Sequence, residues 1–377
     1  MTKKVLITGG AGFIGSHFVD KLIEENDYEV TVYDSLEEQV HEYRDKPPDY
    51  LNKNAIFHHG SVTDYKKLEE LVRENEIVVH LAASVGVSQS MYQIKKYSNN
   101  NILGVANLLD ILANKNHNIE KLVIVSSNTV YGEGKSQCRK CGIINPKLRS
   151  LTQLKKRDWE INCPNCGLKV KPILTDEKSP FNSSSVYALS KQIQEEMGLL
   201  IGNTYGIKTT ILRFFLVYGT RQALSNPYTG VCSIFSARLL QGKPPIIFED
   251  GKQSRDFISV NDVCQALLLS IDNNAANGEI FNVGSGLPIT IKEIAEIITE
   301  KINPELKPIY NQKFRVGDIR HCVADISKIK SKLGYKPKKA FKEGIDELIE
   351  WIKTQKLDIK KPSQNPIQEL KKKDLVI

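Results

Sequence analysis

The eight residues Thr8-Gly9-Gly10-Ala11-Gly12-Phe13-Ile14-Gly15 restrict the folds open to this chain more than any other stretch. They follow a short apolar run, Lys3–Thr8, and open a segment of helical periodicity, Phe13–Glu25. Gly10, Gly12 and Gly15 satisfy G-x-G-x-x-G, and Gly9 widens it to G-x-x-G-x-x-G. Glycines at these places permit a tight turn and let the backbone approach a pyrophosphate, which the free N–H groups of the helix start then bind. The acid that completes such a loop stands nineteen residues beyond Gly15, at Asp34, where the β-branched run Glu29–Tyr33 ends. A carboxylate there accepts both hydroxyls of a ribose and repels a 2′-phosphate, so NAD is expected rather than NADP.

The alternation continues downstream. Ala55–His59, Ile77–Leu81 and Lys121–Ser126 read as strands, and Tyr65–Glu74 and Ile102–Lys115 as helices. Nearly continuous apolar strands between helices predict a parallel sheet covered on both faces. Residues 133–174, rich in Cys, Lys, Asn and Pro, break the pattern and read as an insertion. A helix at Val186–Thr204 and a strand at Lys208–Phe214 restore it. The expected fold is α/β, a Rossmann-type doubly wound sheet in residues 1–215 with a smaller C-terminal substrate lobe in 216–356. Residues 255–275 are expected to return to the large domain, and 357–377 form a Lys-rich tail.

Four of the seven cysteines form two CxxCG knuckles, Cys138-Arg139-Lys140-Cys141-Gly142 and Cys163-Pro164-Asn165-Cys166-Gly167, twenty-one residues apart. That is close to zinc-ribbon spacing, and four thiolates saturate a tetrahedral ion, so a structural zinc is expected. Cys232, Cys264 and Cys322 read as packing residues. The net charge of +8 comes from lysines spread along the chain, Lys155-Lys156-Arg157 in the insertion included. Dispersed charge of this kind suits anionic ligands and does not predict a nucleic-acid partner. No apolar run approaches the eighteen or so residues of a membrane span, and the apolar N-terminal stretch is too short for a signal peptide, so a cytoplasmic protein is expected.

Tyr187-Ala188-Leu189-Ser190-Lys191 lies at the start of a predicted helix, where a spacing of four puts phenol and ammonium on one face. A cation there, with the positive nicotinamide ring, is expected to lower the phenol's pKa toward neutrality. Together with the glycine loop and Ser126-Ser127 at the end of a strand, this pattern resembles the extended short-chain dehydrogenases/reductases, in particular their nucleotide-sugar epimerases. The resemblance covers nearly the whole chain. It includes His80-Leu81-Ala82-Ala83, Asn100-Asn101, Ser126 through Gly132, Leu212 through Gly219, Arg255-Asp256-Phe257 and Arg315-Val316-Gly317-Asp318.

The resemblance implies Tyr187 as base, Lys191 as the group that positions it and the nicotinamide ribose, and Ser127 as hydrogen-bond partner of the reacting oxygen. It implies a tightly bound NAD against Gly9, Gly12, Phe13, Ile14, Gly15, Asp34, Ser61, Val62, Leu81, Ala82, Ala83 and Asn100. For the nucleotide-sugar it implies Asn128, Arg221, Arg255, Arg315 and Asp318, and it implies a homodimer formed by the helices 102–115 and 186–204. Two positions depart from the pattern: Leu216 replaces an asparagine that touches the substrate phosphate, and Ser61 replaces an aspartate that meets the adenine amine.

Members of this family epimerise, dehydrate or decarboxylate. Dehydratases carry an Asp-Glu pair just after the catalytic Ser/Thr, and decarboxylases resemble S-E-V-Y-G. Here Asn128-Thr129 offers no carboxylate, so epimerisation at carbon 4 is expected, with carbon 2 as its nearest rival. The four-cysteine insertion, the stretch Arg221 through Gly230 and the tail Glu369-Leu370-Lys371-Lys372-Lys373 are similar to a narrower subgroup, the dTDP-L-rhamnose 4-epimerases. That makes dTDP-L-rhamnose the leading substrate and a UDP-hexose the alternative. Outside catalysis, the alternative is an NAD-binding sensor that uses the cysteine loop for a partner.

Overall fold

The computed structural model describes residues 2–41, 45–224, 230–355, 370–373 and 375–376. Its centre is a seven-stranded sheet: β1 (Lys3–Thr8), β2 (Tyr28–Asp34), β3 (Ile56–His59), β4 (Ile77–His80), β5 (Lys121–Ser127), β6 (Lys208–Phe214) and β7 (Ile280–Val283). The order across the sheet is β7-β6-β5-β4-β1-β2-β3, and every neighbouring pair is parallel. The strand order reverses between β1 and β4, and in open α/β sheets ligands bind beyond the carboxyl ends of the strands at such a switch.

Alternation along each strand divides the core. Val5 and Ile7 face α1 (Phe13–Glu24) and α5 (Val260–Asp272), meeting Phe18, Leu22, Val263 and Leu267. Leu6, Val78 and Leu122 face the other way, onto Leu68 and Leu71 of α2 (Tyr65–Arg73) and Leu108 and Leu112 of α3 (Gly104–Asn114). Each such side chain, fully removed from water, contributes roughly 1.5–3 kcal/mol. On this face also lies α4 (Val186–Tyr205), started by Ser185, whose hydroxyl accepts the Ala188 N–H, and ended by Gly206 at φ 72°.

The smaller lobe packs three helices, Val231–Leu240, Ile291–Ile302 and Phe341–Thr354, around Phe235, Ile298 and Leu348. The boundary between the lobes differs from the sequence expectation at both ends. Ser254–Ser259 pairs with lobe strands Leu216–Tyr218, Pro288–Thr290 and His321–Cys322, so the return to the large domain begins at α5. It then runs on to β7. The polar run Ser254-Arg255-Asp256 explains the first difference, since lobe backbone supplies its partners; Asp256 accepts the N–H groups of Ser285, Gly286 and Ala324.

The insertion has its own three-stranded antiparallel sheet, with Ser136–Cys138 between Gly142–Ile144 and Lys171–Pro172. A short helix, Leu151–Lys155, follows. Residues 225–229 of the subgroup-like stretch 221–230, and residues 356–369 of the tail, Glu369 included, lie outside the described residues. At the chain's end the Leu375 carbonyl accepts the Val316 N–H, and Val376 bridges Arg315. Among the described residues no helix is long and apolar enough to cross a membrane.

Candidate active site

The glycine loop closes the end of β1 as its spacing requires. Gly9 takes φ +74°, and a Cβ there would meet the Ala82 nitrogen at 2.8 Å; one on Gly15 would lie 2.4 Å from the Gly9 carbonyl oxygen. Gly12 caps α1 with no side-chain bond, and a Cβ on it would meet only the Gly9 oxygen, at 3.3 Å. The space before the first turn, at Phe13 and Ile14, is therefore open to a phosphate. Asp34 ends β2; its Oδ2 accepts the Ala11 N–H at 3.0 Å and its Oδ1 the Leu36 N–H at 2.9 Å. The carboxylate thus braces the loop as well as facing it.

The other cofactor candidates surround this loop. Beyond β3, the Ser61 carbonyl accepts the Tyr33 hydroxyl at 2.8 Å, Ser61 Oγ meets Thr63 Oγ1 at 2.8 Å, and Val62 is buried against α3. Beyond β4, the Leu81 N–H donates to the Thr8 carbonyl at 3.0 Å, which keeps Leu81, Ala82 and Ala83 beside Gly9. Asn100 lies in a π-helical turn, Ser98–Leu103, and donates to Ser84 Oγ at 2.8 Å. Its neighbour Asn101 accepts the Ser84 N–H and donates to Ser190 Oγ at 2.9 Å, tying this turn to α4. Such turns occur often at functional sites, and sequence periodicity does not reveal this one.

Tyr187, Lys191 and Ser127 come together at the ends of α4 and β5. The Ser90 hydroxyl accepts the Tyr187 N–H at 3.0 Å, and the Tyr187 ring meets Tyr97 edge-on at 6.3 Å. Ser127 lies close enough to the Tyr187 phenol to lower its pKa. Lys191 donates to the Val125 carbonyl at 2.8 Å and to Gln194 Oε1 at 2.9 Å. Burial pushes the Tyr187 phenol up to about 12, with Ser127 opposing it, and brings Lys191 down to about 7. The expected lowering of the phenol by Lys191 is therefore corrected for the chain alone. The ammonium is turned to the sheet carbonyl, and desolvation governs the tyrosine.

Beneath the pair lies a buried network that sequence reading missed. Glu195 accepts Arg213 Nε at 3.0 Å and Nη2 at 2.6 Å, and also the Ser126 hydroxyl. Arg213 Nη1 donates to the Tyr131 hydroxyl at 2.8 Å, which donates to Asn282 Oδ1 at 2.6 Å. A signal existed: Glu195 follows Lys191 by four on the same helix face, and Arg213 is the lone charge inside the apolar run Thr210 through Leu216.

The substrate candidates are less uniformly gathered. Asn128 is buried next to Ser127, near the Cys322 thiol. The Arg255 guanidinium is committed to the carbonyls of Ser254, Ile319 and Arg320 and, at 3.0 Å, to Asp318 Oδ1. Arg315 stacks on Phe248, its guanidinium carbon 4.6 Å from the ring centroid. Arg221 is not brought to this group. It pairs with Asp20 of α1 at 2.7 Å and lies over the Tyr50 ring, on the dinucleotide-loop side. Leu216, half-buried, opens the strand that pairs with Phe257.

The four cysteines converge. Their sulfurs lie within 4.8 Å of one another, with Cys138 and Cys166 3.6 Å apart. Tetrahedral zinc with bonds of about 2.3 Å has sulfur–sulfur edges of about 3.8 Å, which this donor set fits. Gly142 and Gly167 both take positive φ, +78° and +74°, and the N–H groups of Lys140 and Cys141 point at Cys138 Sγ, holding its thiol well below the usual range.

Residues 5–151 and 167–284 match the model of the NAD dependent epimerase/dehydratase family, the break falling inside the insertion, and the chain belongs to that family. It is 34% identical to a dTDP-L-rhamnose 4-epimerase of Burkholderia thailandensis, over 95% of this chain and 97% of that one. A putative UDP-glucose 4-epimerase of Methanocaldococcus jannaschii is 35% identical over 93% and 98%. Among solved structures, UDP-glucose 4-epimerase of Thermotoga maritima with UDP-glucose superimposes with a TM-score of 0.76 at 31% identity, covering 93% of this chain and 98% of that one.

Proposed function

We propose that this chain is a nucleotide-sugar 4-epimerase with tightly bound NAD and that dTDP-L-rhamnose is its leading substrate. The observation that carries the reaction type is the pairing of Tyr187 with Ser127 beside the neutral residues Asn128 and Thr129. Dehydration needs an acid or base at carbons 5 and 6, and these positions offer none.

Tyr187 takes the proton of the carbon-4 hydroxyl, and Ser127 bonds the same oxygen as it becomes a carbonyl. NAD, when bound, supplies the acceptor for the carbon-4 hydride and the donor that returns it. The ketone turns over within the pocket, and Tyr187 gives the proton back, so no net oxidation results. Lys191 is anchored at Val125 and Gln194, which leaves one of its three N–H donors for the cofactor's ribose. Arg315, Asp318 and Arg255 are the candidates for the diphosphate side, where a planar guanidinium suits paired oxygens.

The Burkholderia relative favours dTDP-L-rhamnose, and the Methanocaldococcus and Thermotoga proteins favour a UDP-hexose as the second reading. Protein purified without added cofactor, incubated with each sugar nucleotide and followed by proton NMR, separates them. The expected result is conversion of dTDP-L-rhamnose to a mixture of carbon-4 epimers with no release of NADH. Conversion of UDP-glucose alone would move the assignment to the second reading, and inertness toward every sugar nucleotide with NAD supplied would end the epimerase proposal.

We also infer that Cys138, Cys141, Cys163 and Cys166 hold one structural zinc. Elemental analysis should find one zinc per chain, and none in Cys163→Ser; a metal-free wild-type protein of full activity would refute this. A homodimer through the helices 102–115 and 186–204 is supported by the exposed apolar side chains of Leu103, just before α3, and of Leu189 and Leu200 on α4, at 46%, 48% and 66% exposure. Light scattering should give twice the chain mass for the wild type and the single mass for Leu200→Glu. A wild-type monomer at micromolar concentration would remove the dimer.

A further inference from the structure

Residues 314–321, which carry Arg315 and Asp318, are gripped from two sides by the four-cysteine insertion. At the start of the segment Phe314 and Val316 pack with Leu154 and Trp159, the Trp159 and Phe314 rings 6.2 Å apart. At its end the buried Arg149 spans three elements. Nη1 donates to the Trp159 carbonyl at 3.0 Å and Glu249 Oε2 at 2.8 Å, and Nη2 to Glu249 Oε1 at 3.0 Å and the Asp318 carbonyl at 3.1 Å. Glu160, three residues before Cys163, accepts Arg320 Nη2 at 2.6 Å, and its other oxygen meets His321 Nε2 at 3.2 Å.

Arg320 is wholly buried and also binds Glu249 and Asp250, while its own N–H donates to Glu133 Oε2 at 2.7 Å. Arg255 reads the far side of the same backbone, at Ile319 and Arg320. A buried charge that loses its partner is strongly penalised, so this arrangement tolerates little displacement. The second knuckle begins just beyond Glu160, with the Cys163 N–H donating to the Leu168 carbonyl at 2.7 Å and the Val170 N–H to the Ile161 carbonyl at 3.2 Å, while the Glu160 carbonyl accepts Gln153 Nε2 at 2.6 Å. Tyr187, Lys191 and Ser127 are held by Ser90, Ser190, Val125, Gln194 and Thr129, none of them in the insertion.

We propose that the four-cysteine insertion sets the affinity for the substrate's diphosphate half by holding residues 314–321 in place, with Arg149 and Glu160 as the positioning residues. This rests on the nucleotide-sugar reading above. Cys138, Cys141, Cys163 and Cys166 would hold the metal and so steady the stretch that carries Glu160; Glu160 and Arg149 fix the 318–321 backbone, and that backbone orients Arg255, Asp318 and Arg315.

The test titrates UDP and dTDP by calorimetry into the NAD-loaded wild type, Glu160→Ala, Glu160→Gln and chelator-treated wild type. Epimerisation kinetics and NAD content are measured alongside. Glu160→Ala should raise Kd and KM by about tenfold or more while kcat and bound NAD stay within about twofold. Glu160→Gln keeps an acceptor for Arg320 and should fall between it and the wild type. Chelation should reproduce the Glu160→Ala result, and added zinc should reverse it. A folded, NAD-loaded Glu160→Ala that binds both diphosphates as the wild type does, or loses kcat at constant KM, would overturn the proposal. Failure of the wild type itself to bind either diphosphate would instead defeat the nucleotide-sugar reading, and this inference with it.

Discussion

Replacing Tyr187 with Phe should lower kcat by about 10²–10⁴, the range for a positioned acid–base group, while leaving NAD content and fold intact. The ring stays in its edge-on contact with Tyr97 and only the hydroxyl is lost, so packing changes little. The pH profile gives a second, sharper readout. In the proposed mechanism the base acts as phenolate, and burial pushes the Tyr187 phenol up to about 12 in the chain alone, so near pH 7 little of it is ionised. A rate carried by that small fraction rises with pH until it passes the phenol's pKa in the complex. A positive charge brought by the bound cofactor moves that pKa down and the rise with it. The residual activity of Tyr187→Phe should lack this rise. Near-wild-type turnover in the variant, or an unchanged pH slope, would remove Tyr187 from the mechanism.

Arg213→Met should strongly destabilise the large domain. It strands the Glu195 carboxylate in the core with Ser126 as its remaining side-chain partner, and it frees Tyr131 from its donor. Breaking a buried pair by removing one member costs about 3–5 kcal/mol. The measurable result is a large drop in the urea midpoint, read at the main transition because a two-lobed chain need not unfold in one step. The double variant Arg213→Met/Glu195→Leu should recover much of the loss, since no charge is then left unpaired. A midpoint for Arg213→Met close to that of the wild type would mean that the pair does not support β5 and α4. Ser126, next to Ser127, gives this scaffold a bearing on catalysis too.

Much of the large domain is legible from apolar periodicity. Helix α1, β2 with its terminal Asp34, β6 and α4 fall within a residue or so of the expected positions, because each buries a regular face in one core. The features that escaped are those in which distant residues or an irregular backbone decide. The π-helical turn at Ser98–Leu103 adds one residue to a helical repeat, and the apolar pattern nearby absorbs it without a trace. Arg255 carries the expected motif, yet its N–H groups are taken by the carbonyls of residues 254, 319 and 320, a pairing that no local spacing announces. The family resemblance implies Arg221 as a substrate residue, but Asp20 holds it beside the dinucleotide loop. In the insertion, Cys138, Cys163, Ile144, Ile161 and Val170 make a core too small to impose a period of its own. Its four sulfurs converge all the same, so the cysteine spacing was readable where its strands were not.

The strand order also bears on how the chain is made. β6 ends at Phe214, but its outer neighbour β7 begins only at Ile280, after much of the smaller lobe has been synthesised. A ribosome-bound chain that has not yet reached Ile280 therefore presents the free edge of β6, with unpaired N–H and C=O groups, to any strand it meets. Arrival of β7 closes that edge. The vulnerable interval in the life of this protein thus precedes its first encounter with substrate.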